Sequence, residues 1–166
     1  MSMNGSTSLS HKYDYRRMLP HYQKADRPVF ISFRKLSPDP FSEEARDLVM
    51  KHCLHDDGRK YHLHASVVMP EHVHLLLTAL RDSEGWPFAL PQILKLIKGT
   101  SARSVNRLLG VSGPVWQEES FDHVIRGDVS LEEKIDYIRQ NPVRRGLVSR
   151  PEEYRWLWCE SGGGSI

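Results

Sequence analysis

The sequence predicts an α+β sandwich in which helices cover one face of a mainly antiparallel sheet. The length of 166 residues suits one domain, and apolar residues switch between alternating and helical spacing in the order β-α-β-β-α-β-α. With 39% hydrophobic and 27% charged residues, the composition excludes a wholly disordered or collagen-like chain. No apolar run approaches the roughly 20 residues of a membrane span.

The first half of the chain supplies three strands and one helix. Val29–Lys35 has the composition of a strand and is bounded by prolines. A helix is predicted over 41–55, because Ser42 can cap its first turn. Strands are predicted at 61–69 and 72–79, and we expect these two to pair as a hairpin.

The register of this hairpin can be predicted from burial. A two-residue turn would place Val67 opposite His74 and mix apolar with polar side chains on each face. A three-residue turn pairs Val67 with Val73 and makes one face wholly apolar, so we favour it. That register collects four histidines on the other face: His62, His64, His72 and His74.

The second half of the chain supplies two helices separated by one strand. The helix predicted over 90–109 has an apolar stripe. An extended segment follows at 114–126. The last helix is predicted to begin at Ser130, which starts a capping box, and to end at Asn141-Pro142, because the residue before a proline avoids the helical region.

The ends of the chain and its cysteines indicate a simple organisation. We expect a disordered leader at 1–12, one domain at 13–160 and a flexible tail at 161–166. The first residues contain no apolar signal core, and Cys53 and Cys159 form no motif. A reduced, cytoplasmic protein is therefore expected.

Basic residues are concentrated in two stretches without acids, 85–117 and 139–150, although the net charge is only +2. Basic surface of this kind suits a phosphate-rich partner, while two solvated helix faces would have the same composition. The first stretch contributes Lys95, Lys98, Arg103 and Arg107, and the second Arg139, Arg144, Arg145 and Arg150.

Two short patterns could supply chemistry. His72 and His74 lie two apart on a predicted strand, so both rings project to one face and can bind one divalent cation. Tyr137 and Asn141 lie four apart on the last helix and share a face. Spacing alone also fits ordinary polar residues on a wet sheet face and an amphipathic core tyrosine.

Two longer motifs resemble the single-tyrosine HUH insertion-sequence transposases, and among them the REP-associated tyrosine transposases. Segment 67–77 contains His72-Val73-His74 and is similar to their HUH motif (His, a hydrophobic residue, His). Segment 136–148 contains Tyr137 and ends Asn-Pro-Val-Arg-Arg-Gly-Leu-Val, like their tyrosine helix. Shorter similar pieces, such as Leu19-Pro20-His21, extend the resemblance over nearly the whole chain.

The resemblance implies a ferredoxin-like α+β fold and a metal-dependent nuclease. His72, His74 and Asn141 would bind Mg²⁺ or Mn²⁺, and Tyr137 would be the nucleophile that forms a 5′-phosphotyrosine. The substrate would be hairpin-bearing single-stranded DNA, which is cleaved and rejoined during DNA transposition by a monomer or a homodimer. We expect both basic stretches to lie beside this site and to contact the phosphates of the DNA, together with Trp116.

Two other functions remain open from the sequence. One is a non-catalytic, repressor-like DNA-binding module, in which the basic stretches contact phosphates and tryptophans stack on bases. The other is a zinc hydrolase that uses the four histidines, with Glu71 as the one obvious carboxylate base. DNA cleavage that depends on Tyr137 would distinguish the transposase from both.

Overall fold

The structure is a computed structural model that describes residues 26–161. The predicted leader at 1–12, the piece Leu19-Pro20-His21 and residues 162–166 of the predicted tail lie outside the described residues. The elements, in chain order, are β1 (Val29–Lys35), α1 (Glu43–His55), β2 (Tyr61–Val68), β3 (His72–Ala79), α2 (Leu90–Leu109), β4 (Trp116–Val124), α3 (Asp128–Arg144), a 3-10 turn (Pro151–Glu153) and β5 (Leu157–Cys159).

The five strands form one antiparallel sheet in the order β4-β1-β3-β2-β5. The predicted α+β class is therefore confirmed. None of the three helices within residues 26–161 combines the length and the apolar composition that a membrane span requires.

The sequence predicts all helices on one face of the sheet, and this prediction is wrong, because the helices lie on both faces. α1 and α2 share a face, since His52 Nε2 lies 2.7 Å from Ser104 Oγ and Trp116 Nε1 donates to Ser101 Oγ on α2. α3 packs on the opposite face, where Tyr137 meets the sheet. The physical reason is that the centre of β2 and β3 is apolar on both faces, so each face needs a cover.

The β2–β3 hairpin has the register that burial argued against. A two-residue turn pairs Val67 with His74, so the predicted three-residue turn is wrong. The register shifts at a β-bulge at His64, beyond which the predicted pair, Leu63 with Leu77, is restored. Because both faces are covered here, the hairpin did not need one wholly apolar face.

The last helix is longer at both ends than the sequence predicted. α3 begins at Asp128 rather than Ser130, and it continues through Pro142 to Arg144. The proline sits in the final turn, where it removes one backbone donor without stopping the helix. As a result Asn141 stays helical, and its side chain remains in line with Tyr137.

The tryptophan-rich end of the domain, which the sequence left unplaced, forms the edge strand β5 beside β2. Tyr154 Oη donates to the backbone oxygen of Val68 at 2.7 Å, and Trp156 Nε1 donates to Asp47 Oδ1 at 2.8 Å. The buried hydroxyl of Tyr154 thus has a structural partner.

Candidate functional site

The first histidine pair lies at the centre of the sheet. Pairing of β1 with β3 places Ser32 opposite His74 and Arg34 opposite His72. The two Nε2 atoms approach within 3.1 Å, and the ring centroids are 4.6 Å apart. His74 packs against Phe30 on the face opposite α1 and α2. Two imidazole nitrogens therefore converge on one point, as two ligands of a common ion must.

Neighbouring charges fix the orientation of His72. Glu71 Oε1 lies 3.2 Å from His72 Nδ1 and 2.6 Å from the guanidinium of Arg145. A hydrogen bond from Nδ1–H to this carboxylate leaves the Nε2 lone pair directed towards His74, and metal-binding histidines commonly have such a carboxylate partner. The sequence predicts for Glu71 only the role of a base in the zinc-hydrolase alternative.

Burial keeps both imidazoles neutral. It lowers the pKa of His74 to about 3, with the nearby His72 as the next cause. Burial is also the largest cause that lowers the pKa of His72, against the opposing attraction of Glu71. The neutral ring is the form that binds a metal ion.

One face of α3 lies along this histidine pair. Tyr137 reaches His74, with ring centroids 5.8 Å apart, and Arg145, two turns later, reaches Glu71. Asn141 lies between them on the same face and is buried. The structure therefore brings together the predicted ligands and the predicted nucleophile.

Two buried polar atoms at this site have no hydrogen-bond partner among the described residues: Asn141 Oδ1 and His74 Nδ1. Such atoms are rare in folded proteins, since each loses its hydration without replacement. An amide oxygen on the helix face that meets two neutral imidazoles completes a donor set that suits a divalent cation. The predicted set His72, His74 and Asn141 fits a metal ion on this ground.

Tyr137 is exposed enough to meet a substrate, with 39% of its surface accessible. Its ring packs edge-on against Phe30. Lys134 Nζ lies 5.0 Å from the ring centroid, and Arg144 Cζ lies 4.4 Å from it. The Tyr137 ring is thus flanked by two cations that would attract a phosphate to this surface.

Of the two basic stretches, the second borders the site. Arg144 covers the Tyr137 ring and Arg145 holds Glu71. Arg139, five residues before Arg144 on α3, is exposed and donates to Asp136 Oδ1 at 2.9 Å. Arg34 on β1, which no sequence motif indicates, joins them opposite His72. No local signal could find it, because only the β1–β3 register places it opposite His72.

The first basic stretch lies on α2, across the sheet from the histidine pair. Lys95, Arg103 and Arg107 are exposed there. Lys98 instead ties α2 to β4, since its Nζ donates to Gln117 O at 2.8 Å and to Ser120 Oγ at 3.0 Å, and burial lowers its pKa. The expectation that both stretches lie beside the site is therefore wrong for α2.

Trp116 does not fit its predicted role in DNA contact. Its ring is buried between Phe33 and Phe41, because this end of β4 faces the core under α2. The exposed aromatic ring of β4 is Phe121, which is 60% accessible. It packs edge-on against Phe30, with the ring centroids 6.4 Å apart. The alternation of β4 puts Phe121 on the same sheet face as His74.

The second histidine pair lies farther along the same hairpin. His64 Nε2 lies 2.8 Å from Thr78 Oγ1, and Thr78 is four residues from His74 along β3, roughly 13 Å in a strand. The four histidines thus form two separate pairs, and the single four-histidine site of a zinc hydrolase is not formed. Within the described part of the chain, His62, His64 and Glu160 form a group with metal-ligand spacing.

Comparison with known proteins agrees with the sequence motifs. No family model matches the chain. A Haemophilus influenzae protein named "Putative REP-associated tyrosine transposase" is 28% identical over 89 residues, 51% of this chain and 51% of that protein. The "REP-associated tyrosine transposase" of Escherichia coli is 26% identical over 96 residues, 58% of this chain and 53% of that protein. The chain thus matches about half the length of each.

A solved structure described as a REP-associated tyrosine transposase bound to a REP hairpin has the same fold. Its TM-score is 0.60 and its sequence identity 20%, over 80% of this chain and 76% of that one. At this identity the likeness establishes the fold alone.

The fold and the site together define a class: an α+β sandwich whose central histidine pair faces a tyrosine on a helix. Within this class, the comparisons confirm the resemblance to the REP-associated tyrosine transposases that the two motifs predicted.

Proposed function

We propose that this chain is a DNA transposase that cleaves and rejoins hairpin-bearing single-stranded DNA through Tyr137, with a divalent cation at His72, His74 and Asn141. One observation carries the proposal: the exposed tyrosine lies 5.8 Å, between ring centroids, from a buried histidine, one helical turn from an amide oxygen without a partner. DNA binding without catalytic activity does not require this arrangement.

The tyrosine performs the covalent step. Tyr137 Oη attacks the phosphorus of one phosphodiester, and the bond from phosphorus to the 3′ oxygen breaks. The phenol loses its proton, the departing 3′ oxygen gains one, and the 5′ phosphate stays on the tyrosine. Because the phosphotyrosine keeps the energy of the broken bond, attack by a 3′-hydroxyl rejoins the strand without ATP.

Neighbouring residues position the reacting groups. His72 and His74 offer Nε2, and Asn141 offers Oδ1, to Mg²⁺ or Mn²⁺, which supplies charge stabilisation at the scissile phosphate. Glu71 holds the His72 ring through Nδ1. Lys134 and Arg144 beside the Tyr137 ring attract the DNA backbone.

The DNA partner is proposed by analogy with the solved relative that is bound to a REP hairpin. The surface that would receive it on this chain includes Arg34, Arg144 and the exposed ring of Phe121, all on the face of His74. An aromatic ring next to cations is the usual surface for single-stranded nucleic acid.

The test is formation of a covalent protein–DNA adduct. Purified protein is mixed with hairpin-bearing single-stranded DNA and Mn²⁺, and the adduct is resolved by denaturing electrophoresis. We expect adduct with the wild-type protein and none with Tyr137→Phe, which keeps the packing of the ring and the binding of DNA but has no attacking oxygen.

Tyr154→Phe is the matched control, because that buried hydroxyl already bonds to Val68; this variant should form the adduct. Undiminished adduct in Tyr137→Phe would show that another residue is the nucleophile. Cleavage without any adduct would point to an activated water, and the transposase proposal would fail.

A further inference from the structure

We propose that His62, His64 and Glu160 form a second metal site, selective for Zn²⁺-like transition-metal ions and separate from the site at His72 and His74. It holds the end of the domain, beyond β5, against β2. The proposal rests on the donor geometry of these three side chains and does not depend on the proposed transposase activity.

The spacing of the donor atoms suits a small tetrahedral site. His62 Nε2 lies 3.1 Å from Glu160 Oε1, and His64 Nδ1 lies 3.6 Å from Glu160 Oε2. One ligand atom from each residue lies within 4.8 Å of the others. Bonds of about 2.0–2.2 Å to zinc separate ligands by roughly 3.3–3.6 Å, so small side-chain rotations close the site.

The orientation of His64 is already set for binding. Its Nε2 lies 2.8 Å from Thr78 Oγ1 on β3, and a bond from Nε2–H to this oxygen leaves the Nδ1 lone pair facing Glu160. A fixed partner on the second ring nitrogen is the usual support of a metal-bound histidine.

The chemistry of the donors selects the ion. Two imidazoles and one carboxylate favour Zn²⁺, Co²⁺ or Ni²⁺ over Mg²⁺ or Ca²⁺, and three protein ligands leave a fourth position for water. His64 is 12% exposed, whereas the side chains of His62 and Glu160 are 43% and 45% exposed. An ion can therefore enter from solvent.

The position of Glu160 gives the site a structural role. Glu160 directly follows β5, a strand of three residues at the edge of the sheet, and its backbone N–H donates to His64 O at 2.9 Å. An ion between Glu160 and the two histidines would tie this short strand to β2 through side chains as well as backbone.

Zinc titration of the full chain tests the site. The protein is freed of metal by chelation, and Zn²⁺ binding is measured by competition with a chromophoric chelator. The starting variant is His72→Ala with His74→Ala, so that the other site cannot contribute. We expect one Zn²⁺ per chain, and a rise in Tm when Zn²⁺ is added, because the ion binds the folded state.

Adding His62→Ala and His64→Ala to the starting variant should abolish both the binding of Zn²⁺ and the rise in Tm that Zn²⁺ causes. Adding Glu160→Gln should weaken Zn²⁺ binding at least roughly 10-fold, since a charged ligand becomes neutral; it tests the site even if the fourfold alanine variant fails to fold. The control adds His55→Ala and His123→Ala, two exposed histidines outside both groups, and should keep the ion.

Two results would overturn the proposal. Unchanged zinc binding after both His62→Ala with His64→Ala and Glu160→Gln would place the ion elsewhere. Absence of stoichiometric binding at micromolar Zn²⁺ in the starting variant would reduce the group to a histidine–carboxylate ion pair.

Discussion

The two histidine pairs of the β2–β3 hairpin have the same spacing in sequence and nearly the same separation of ring centroids, 4.6 Å and 4.7 Å. Their surroundings differ. His74 is buried under α3 and faces the hydroxyl-bearing ring of Tyr137, whereas His62 lies near the sheet edge with a carboxylate beside it. The spacing suits each pair to the binding of one ion, as proposed above, and the element packed against the first pair adds a tyrosine that the second pair lacks.

The largest expected difference between the pairs is in catalysis. His72→Ala with His74→Ala should abolish the covalent DNA adduct, even in excess Mn²⁺, because Asn141 alone is a weak neutral ligand. His62→Ala with His64→Ala should leave the rate of adduct formation unchanged. Loss of adduct in the second double variant, with its far-UV circular dichroism intact, would contradict the separation of the two pairs.

A second comparison sets the carboxylates of the two pairs against each other. Glu71→Gln should raise the Mn²⁺ concentration needed for half-maximal adduct formation by roughly 10–100-fold, because it weakens the partner that orients His72. Glu160→Gln should leave that concentration unchanged. An equal Mn²⁺ requirement in wild type and Glu71→Gln would show that Arg145 and Glu71 only hold the hairpin turn.

The proposed DNA-binding surface beside the first histidine pair extends to Phe121 on the edge strand β4. Phe121→Ala should weaken binding of single-stranded DNA by about 1–3 kcal/mol, roughly 5–150-fold, through loss of one stacking ring. Phe121→Tyr keeps a ring and should restore the affinity in a fluorescence anisotropy titration. Equal affinities of the alanine and wild-type proteins would remove Phe121 from the binding surface.

The smallest expected effect separates the two basic stretches. Arg144→Ala should reduce the slope of log affinity against log salt by about 1, because one phosphate contact is lost. Arg107→Ala removes an exposed cation from α2, on the other sheet face, and should leave the slope unchanged. A reduced slope in Arg107→Ala alone would place the DNA across α2.

The sequence predicts the elements well where local signals agree. The bounds of β1, β3 and α2 were predicted as the structure has them, and Ser42 caps α1 as expected, since its side chain accepts from Ala45 N. Apolar periodicity, capping residues and turn residues are all local, so each can be evaluated without knowing the rest of the fold.

Properties that depend on contacts across the sheet were not predictable in the same way. The bulge at His64 and the position of α3 depend on helices packing against both faces of the sheet. The alternation of apolar and polar residues within one strand does not reveal this packing. The same limit applies to the site. The motifs contain His72, His74, Tyr137 and Asn141, whereas Arg34 and Phe121 join them only through strand pairing.

The bulge at His64 also makes the hairpin tolerant of a change in length at one point. Leu63 pairs with Leu77 and Ala65 with Leu76, so a deletion of the bulged residue would leave both pairs adjacent and every side chain on its present face. A deletion elsewhere in β2 would exchange the two faces of one half of the strand. The register of the end that positions His72 and the register of the end that carries His62 are therefore separated at this one residue.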